Sequence, residues 1–168
     1  MHTKRGFTLI ELLIVIALLG ALAIGLIGAL DPFEQLKKGT DTGTRDLVNQ
    51  IQTAVIRYYS VKNEMPWTAD PEAKSLKQAP MSGETGAIAA MIAAGELKTD
   101  FETIHKGKLA SVFVTGSSTD YTVAVCYQPT SKSFLSDPNT KFEIDGTEVA
   151  DPTTCGTTGE TKCYWCIK

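Results

Sequence analysis

The sequence predicts an α+β protein in which a long N-terminal helix packs against a small antiparallel β-sheet head. Three observations support this fold class. An apolar run extends from Phe7 to Leu30, helical spacing of apolar residues resumes at Leu47, and alternating strand patterns appear only after residue 110. A chain of 168 residues has room for one modest domain with appendages. Its net charge of -3 provides no basic field for phosphates, so a nucleic-acid partner is not indicated.

The apolar run contains one ionisable residue, Glu11. A helix over residues 7–30 would span about 36 Å at 1.5 Å per residue, which exceeds a hydrocarbon core of about 30 Å. Lys4 and Arg5 precede the run and indicate a cytoplasmic N-terminal end. Residues 7–30 are therefore predicted to form a single transmembrane helix.

Small residues recur every four positions in this segment, at Ala17, Ala21, Gly25 and Ala29. This spacing places them on one side of a helix, where another helix can approach closely. Apolar helices are also rich in Ala and Gly without such a role, and both interpretations stay open.

A secretory signal peptide is a competing interpretation, with cleavage after Ala21-Leu22-Ala23 and a mature chain that begins near Ile24. Two features weigh against it. The apolar run continues past this site to Leu30, and the carboxylate of Glu11 lies inside the proposed apolar region.

The stretch Lys-Arg-Gly-Phe-Thr-Leu-Ile-Glu, residues 4–11, resembles the class III leader of type IV pilins and of the related pseudopilins of type II secretion. The resemblance covers about the first quarter of the chain. It implies that residues 1–6 are a leader, that a prepilin peptidase cuts between Gly6 and Phe7, and that Phe7 is then N-methylated. Glu11 matches the acidic residue in the first turn of the mature chain.

The position of Glu11 suggests a role in assembly. A carboxylate in the middle of a membrane helix costs roughly 2.5–3.5 kcal/mol on insertion scales, and less near a helix end. The Phe7 α-amine of a neighbouring subunit would supply an opposite charge. At about 4 Å and an effective dielectric near 20, the pair interacts by roughly 4 kcal/mol before desolvation is subtracted.

Residues 31–60 are predicted to form a stalk. Asp31 can cap a helix and Pro32 suits its first turn, whereas two glycines and three threonines predict an interruption at residues 39–43. An amphipathic helix follows. Its apolar face comprises Leu47, Ile51, Ala54, Val55, Tyr58 and Tyr59, and the polar residues expected to face mostly elsewhere are Arg45, Asn49, Gln52 and Arg57.

Residues 61–168 are predicted to form the head. Ser82-Gly83-Glu84-Thr85 indicates the capped start of a short helix that ends at Gly95. Residues 111–115 and 121–127 alternate with period two and predict a β-hairpin. Residues 141–146 indicate a further strand and turn, and residues 163–167 a possible last strand.

Four cysteines lie in the last third of the chain and suit two disulfides in an oxidising compartment. The pairs Cys155–Cys163 and Cys126–Cys166 are favoured among three possible pairings. Cys163 and Cys166 also form a C-x-x-C motif, so a zinc site or a redox-active thiol pair is an alternative. The motif lies at the C-terminal end of the sequence, with no predicted helix to lower a thiol pKa.

Other candidate chemistry is sparse. The sequence contains two histidines, His2 and His105, and no nucleophile motif or Gly-rich phosphate loop. We expect no catalytic residues, no resident metal and no cofactor. The late loops carry four oxygen-bearing side chains that could bind calcium but are also ordinary turn formers. They are Asp137, Asn139, Asp145 and Asp151.

The resemblance implies a structural subunit rather than an enzyme. It would be stored in the cytoplasmic membrane as a single-pass precursor and polymerised into a surface filament. The partners implied are other copies of the chain, prepilin peptidase, the pilus assembly platform and minor pilins. The alternatives are a type II secretion pseudopilin, a membrane-anchored thiol or zinc protein, and a secreted binding domain released at the signal-peptide site.

Overall fold

The computed structural model describes residues 6–29, 31–151, 153, 155 and 162–168. The chain divides into two compact units, Met1–Leu36 and Lys37–Lys168, and each is described by itself. The predicted leader charges Lys4 and Arg5 lie outside the described residues, as does the side chain of Ala29.

The first unit is dominated by α1, which spans Leu9–Ala29. Its large apolar side chains are at least half exposed along most of its length, and no described residue of this helix is buried. The stretch Leu9–Gly28 is long and apolar enough to cross a membrane. The predicted stripe residues Ala17, Ala21 and Gly25 lie exposed on this helix.

A second helix, α2, spans Pro32–Lys62. Asp31 caps it, because its Oδ1 accepts a hydrogen bond from the Glu34 amide at 3.2 Å. Pro32 occupies the first helical position, where a missing N–H costs nothing. The predicted helix start is confirmed.

The interruption predicted at residues 39–43 was wrong, because α2 is helical through this stretch. The carboxylate of Asp41 is 2% exposed. It accepts hydrogen bonds from the Thr130 amide and hydroxyl and from the Ser131 amide, the last at 2.7 Å. These contacts offset a helix propensity that is about 1 kcal/mol poorer for each Gly than for Ala.

The rest of α2 supplies one side of the core of the head. Its buried apolar residues are Leu47, Val48, Ile51, Ala54, Val55 and Tyr58. Tyr59 is partly buried against them. Gln52 was expected to face mostly elsewhere, but it is 8% exposed and lies on the buried face.

Three short helices follow: α3 at Ala87–Ala93, α4 at Phe101–Ile104 and α5 at Lys132–Leu135. The predicted cap of α3 was wrong, because Ser82 Oγ donates to the Lys77 carbonyl instead and Gly86 precedes the helix. Its predicted end is confirmed. Gly95 has a φ of 80°, and its amide and that of Glu96 donate to carbonyls of the last turn.

The head contains one five-stranded antiparallel sheet with the order β1-β2-β3-β5-β4. The strands are β1 at Lys74–Ser75, β2 at Val112–Ser117, β3 at Thr122–Tyr127, β4 at Thr140–Phe142 and β5 at Tyr164–Ile167. The predicted hairpin and last strand are confirmed. The strand and turn predicted at 141–146 are also confirmed, since β4 ends at Phe142 and Gly146 has a φ of 82° in the turn that follows.

One face of the sheet completes the core. Val112 and Val114 of β2 and Val125 and Tyr127 of β3 are buried in one cluster with the apolar residues of α2 and α3. The head therefore has a continuous core between helix and sheet, as α+β folds require.

We predict that Asp41→Ala lowers the free energy of unfolding of the head by about 2–3 kcal/mol, because it leaves the buried Ser131 amide without its acceptor. Urea unfolding of the full chain in detergent, followed by fluorescence of the buried Trp67 and Trp165, measures this change.

Asp46→Ala is the matched control, since Asp46 is exposed on the same helix and surface substitutions usually stay within about 0.5 kcal/mol. Equal effects of the two substitutions would contradict a stabilising role for Asp41.

Candidate functional site

The predicted cleavage site lies just before the first helix. Gly6 and Phe7 precede α1 and are exposed, with Phe7 86% exposed. A peptide bond outside regular structure is accessible to a protease, whereas a peptide bond within a helix becomes accessible only after that part of the helix unfolds. The local structure is therefore compatible with cleavage between these residues.

Thr8 and Glu11 form a reciprocal capping box at the start of α1. The Thr8 amide donates to Glu11 Oε2 at 2.8 Å, and the Thr8 hydroxyl donates to the same oxygen at 2.6 Å. The Glu11 amide donates in turn to Thr8 Oγ1 at 3.3 Å. This arrangement satisfies amides that have no carbonyl partner in the first turn of a helix. The sequence analysis assigned no capping role to Thr8, although the T-x-x-E spacing of Thr8 and Glu11 is a known signal for the start of a helix.

The capping box explains how an apolar helix accommodates a carboxylate. Glu11 is hydrogen-bonded within its own turn, where the partial positive charge of the helix N-terminus also favours an anion. A paired carboxylate costs less to remove from water than an unpaired one. The structure thus brings Phe7, Thr8 and Glu11 together at one helix end.

All four cysteines are in disulfides. Cys126 is joined to Cys166, which directly opposes it on the neighbouring strand, and Cys155 is joined to Cys163. These are the pairs that the sequence analysis favoured. Residues 156–161, between the second pair, lie outside the described residues.

The thiol and zinc interpretations of the C-x-x-C motif were wrong. Cys163 and Cys166 belong to different disulfides, and none of the four sulfurs is a free thiol. Metal coordination and thiol exchange both require a thiolate. The two cysteines of this motif instead each belong to a separate structural disulfide.

The candidate calcium ligands are engaged in their own turns. Asp137 accepts the Asn139 amide, Asp145 accepts the Thr147 amide and hydroxyl, and Asp151 accepts the Thr153 amide and hydroxyl. The turn hydrogen bonds hold the pKa of Asp145 and Asp151 below the usual value. Among the described residues, no three His, Cys, Asp or Glu side chains group as metal ligands would.

The two histidines are not brought to a common site within the described structure. His2 lies outside the described residues. The ring of His105 packs 4.8 Å from that of Phe101, and burial lowers its pKa, with a smaller contribution from Lys108. The structure therefore places His105 beside Phe101 in the head, in a different unit from the N-terminal motif.

Comparison with known families agrees with the local geometry. Residues 1–27 match the model of the prokaryotic N-terminal methylation motif. This match confirms the resemblance to the class III leader of type IV pilins and pseudopilins for the N-terminal segment. No curated protein and no solved structure shows a match. The motif, the apolar helix and the small antiparallel sheet together make the architecture pilin-like.

We predict that the two disulfides contribute unequally to the stability of the head. Loops of 40 and 8 residues correspond to about 4 and about 2.5 kcal/mol in a chain-entropy estimate. Replacing both members of Cys126–Cys166 by Ala should therefore lower the urea midpoint more than the same change in Cys155–Cys163. A larger effect for the shorter loop would contradict this ranking.

Proposed function

We propose that this chain is a structural subunit of a type IV pilus, cut after Gly6, N-methylated at Phe7 and polymerised through α1. The observation that carries the proposal is the methylation motif, which runs into an exposed apolar helix with a single carboxylate in its first turn. The same motif supports a structural subunit of the pilin or pseudopilin type.

The driving force for polymerisation would be burial of α1. An exposed Leu or Ile side chain gains about 1.5–3 kcal/mol when it is fully buried, and α1 carries many such side chains with large exposed areas. A bilayer can cover them before assembly, and neighbouring α1 helices can cover them in a filament. The small residues Ala17, Ala21 and Gly25 would allow close helix contacts there.

Glu11 would set the register between subunits. Cleavage before Phe7 creates an α-amine four residues from Glu11 along the chain, and each incoming subunit presents the same amine. The capping box leaves Glu11 Oε1 without a hydrogen bond from the described residues. That oxygen is available to a neighbour's amine while Oε2 still caps the helix.

The partners that this proposal requires are other copies of the chain, prepilin peptidase, an assembly platform and minor pilins. The precursor would lie in the cytoplasmic membrane with its head outside. Disulfides in the head suit that location, because they persist in oxidising compartments.

We predict that Glu11→Ala yields a cleaved, membrane-bound subunit that does not enter filaments. An Ala side chain cannot form an ion pair with the α-amine of an incoming subunit. Removal of the carboxylate makes insertion of α1 into the membrane easier than in the wild type, so the subunit should stay membrane-bound. An antibody against the head, applied to sheared surface fractions and to membrane fractions, measures how much of the subunit is in filaments and how much remains in the membrane.

The matched control is Glu34→Ala, which removes an acidic residue from the first turn of α2 and should leave filaments unchanged. Normal filament numbers with Glu11→Ala would contradict the assignment of Glu11. Wild-type subunits found only in a short periplasmic rod would replace the pilus proposal with a pseudopilin.

A further inference from the structure

An open groove of about 590 Å³ lies in the head between α2, the β2–β3 hairpin and the turn at residues 145–147. The groove forms because β5 pairs with β3 only over Val125–Tyr127. The earlier part of β3, Thr122–Ala124, pairs with β2 along one edge and borders the groove. The volume is in the range of small-molecule sites.

The strand β3 offers this groove a backbone donor and acceptor that no other described strand pairs. Cys126 and Cys166 oppose each other with Cα atoms 4.1 Å apart, which is the spacing of a pair without hydrogen bonds. Val125 therefore exchanges its hydrogen bonds with β5. Backbone groups alternate along a strand, so the N–H and C=O of Val123 point to the same edge of β3 as those of Val125. At Val123 this edge is not paired with β5.

Gln52 places a side-chain amide at the groove. It lies on the apolar face of α2, is 8% exposed and lines the cavity. No described residue hydrogen-bonds to its side chain. Among the described residues, the Gln52 amide atoms are not fully enclosed, so they can hydrogen-bond to water or to a ligand in the groove.

Tyr121 places an aromatic face at the same groove. It is 55% exposed, and its ring centroid lies 5.0 Å from that of Tyr59. Its backbone has a φ of 53°, a left-handed conformation that is unfavourable for a bulky residue and is often found at functional sites. The contact with Tyr59 supports one side of the ring, and the rest of the ring is open to the groove.

The charges at the groove are balanced. Asp145 Oδ1 accepts both hydrogen bonds from Thr147, and the other carboxylate oxygen takes none from the described residues. Lys168 provides one positive charge. One charge of each sign gives no net attraction for an anion or a cation, so a neutral, hydrogen-bonding ligand fits best.

We propose that this groove binds a neutral saccharide of one or two rings. Its hydroxyls donate to the free oxygen of Asp145 and to the Val123 carbonyl, and accept from the Gln52 amide and the Val123 N–H. The apolar C–H face of the sugar stacks on the negative face of the Tyr121 ring. An extended peptide fits less well, because the open edge of β3 is only three residues long.

This inference is independent of the proposed polymerisation, since every residue that it uses lies in the second unit. A subunit that fails to assemble would still bind the sugar. Failure of either proposal can therefore be recognised separately.

The test is saturation-transfer NMR on the full chain in a detergent without a sugar headgroup. The probes are glucose, galactose, mannose, N-acetylglucosamine, lactose and chitobiose. The variants are Gln52→Leu, which removes the amide but keeps an apolar volume, and Tyr121→Ala. Gln50→Leu is the matched control, because Gln50 is exposed on the same helix and does not line this groove.

We expect at least one sugar to bind wild type and Gln50→Leu equally, and to bind Gln52→Leu and Tyr121→Ala about tenfold or more weakly. Unchanged urea midpoints in the variants show that the head remains folded. Absence of binding for all six sugars, or equal binding by all four proteins, would overturn the proposal. Tighter binding of the apolar probe anilinonaphthalene sulfonate by Gln52→Leu, without sugar binding by wild type, would assign the groove to an apolar ligand instead.

Discussion

The structure depends on one constraint, which is that an apolar helix of 21 residues must always be covered by something other than water. No described residue of α1 is buried, and in the proposed assembly lipid or neighbouring subunits would cover this helix. The chain separates this requirement from the folding of its head, which has its own core and two disulfides. In a subunit built in this way, the lipid around α1 could be replaced by neighbouring helices while the head stays folded.

In the proposed assembly, Glu11 would make this exchange specific. An apolar helix alone would pack against similar helices in many registers, since dispersion and apolar burial have little directionality. A single carboxylate would restrict the registers of the proposed assembly to those that supply a positive charge. Thr8 holds this carboxylate at the end of the helix, through both its amide and its hydroxyl.

The head shows how distant contacts override local propensity. The Gly-rich stretch around Asp41 is a poor helix by its composition. It is nevertheless helical, because Asp41 binds Thr130 and Ser131, which lie 89 and 90 residues further along the chain. Arg45, one turn later, packs 4.4 Å from the centroid of the Trp165 ring and 3.6 Å from Asp137. These contacts attach the same part of α2 to the loop after β3 and to β5.

Local patterns predicted much of this fold. The cap at Asp31, the apolar face around Leu47 and the β2–β3 hairpin each depend on residues close in sequence, so local patterns were sufficient to predict them. Sequence analysis failed where the decisive partner was remote or the element was short. Asp41 is the first case, and the two-residue β1 is the second. The groove at Gln52 could not be predicted, because it depends on where β5 ends and on the positive φ of Tyr121.

The central claim is that α1 of the mature chain begins next to a processed Phe7 and carries Glu11 into an assembly. Mass spectrometry of the N-terminal peptide from a sheared surface fraction tests this claim most directly. The account predicts a peptide that starts at N-methylated Phe7 and retains Glu11. A mature chain that starts near Ile24 would contradict it, since Glu11 would then belong to a discarded signal peptide and the assembly helix would be absent.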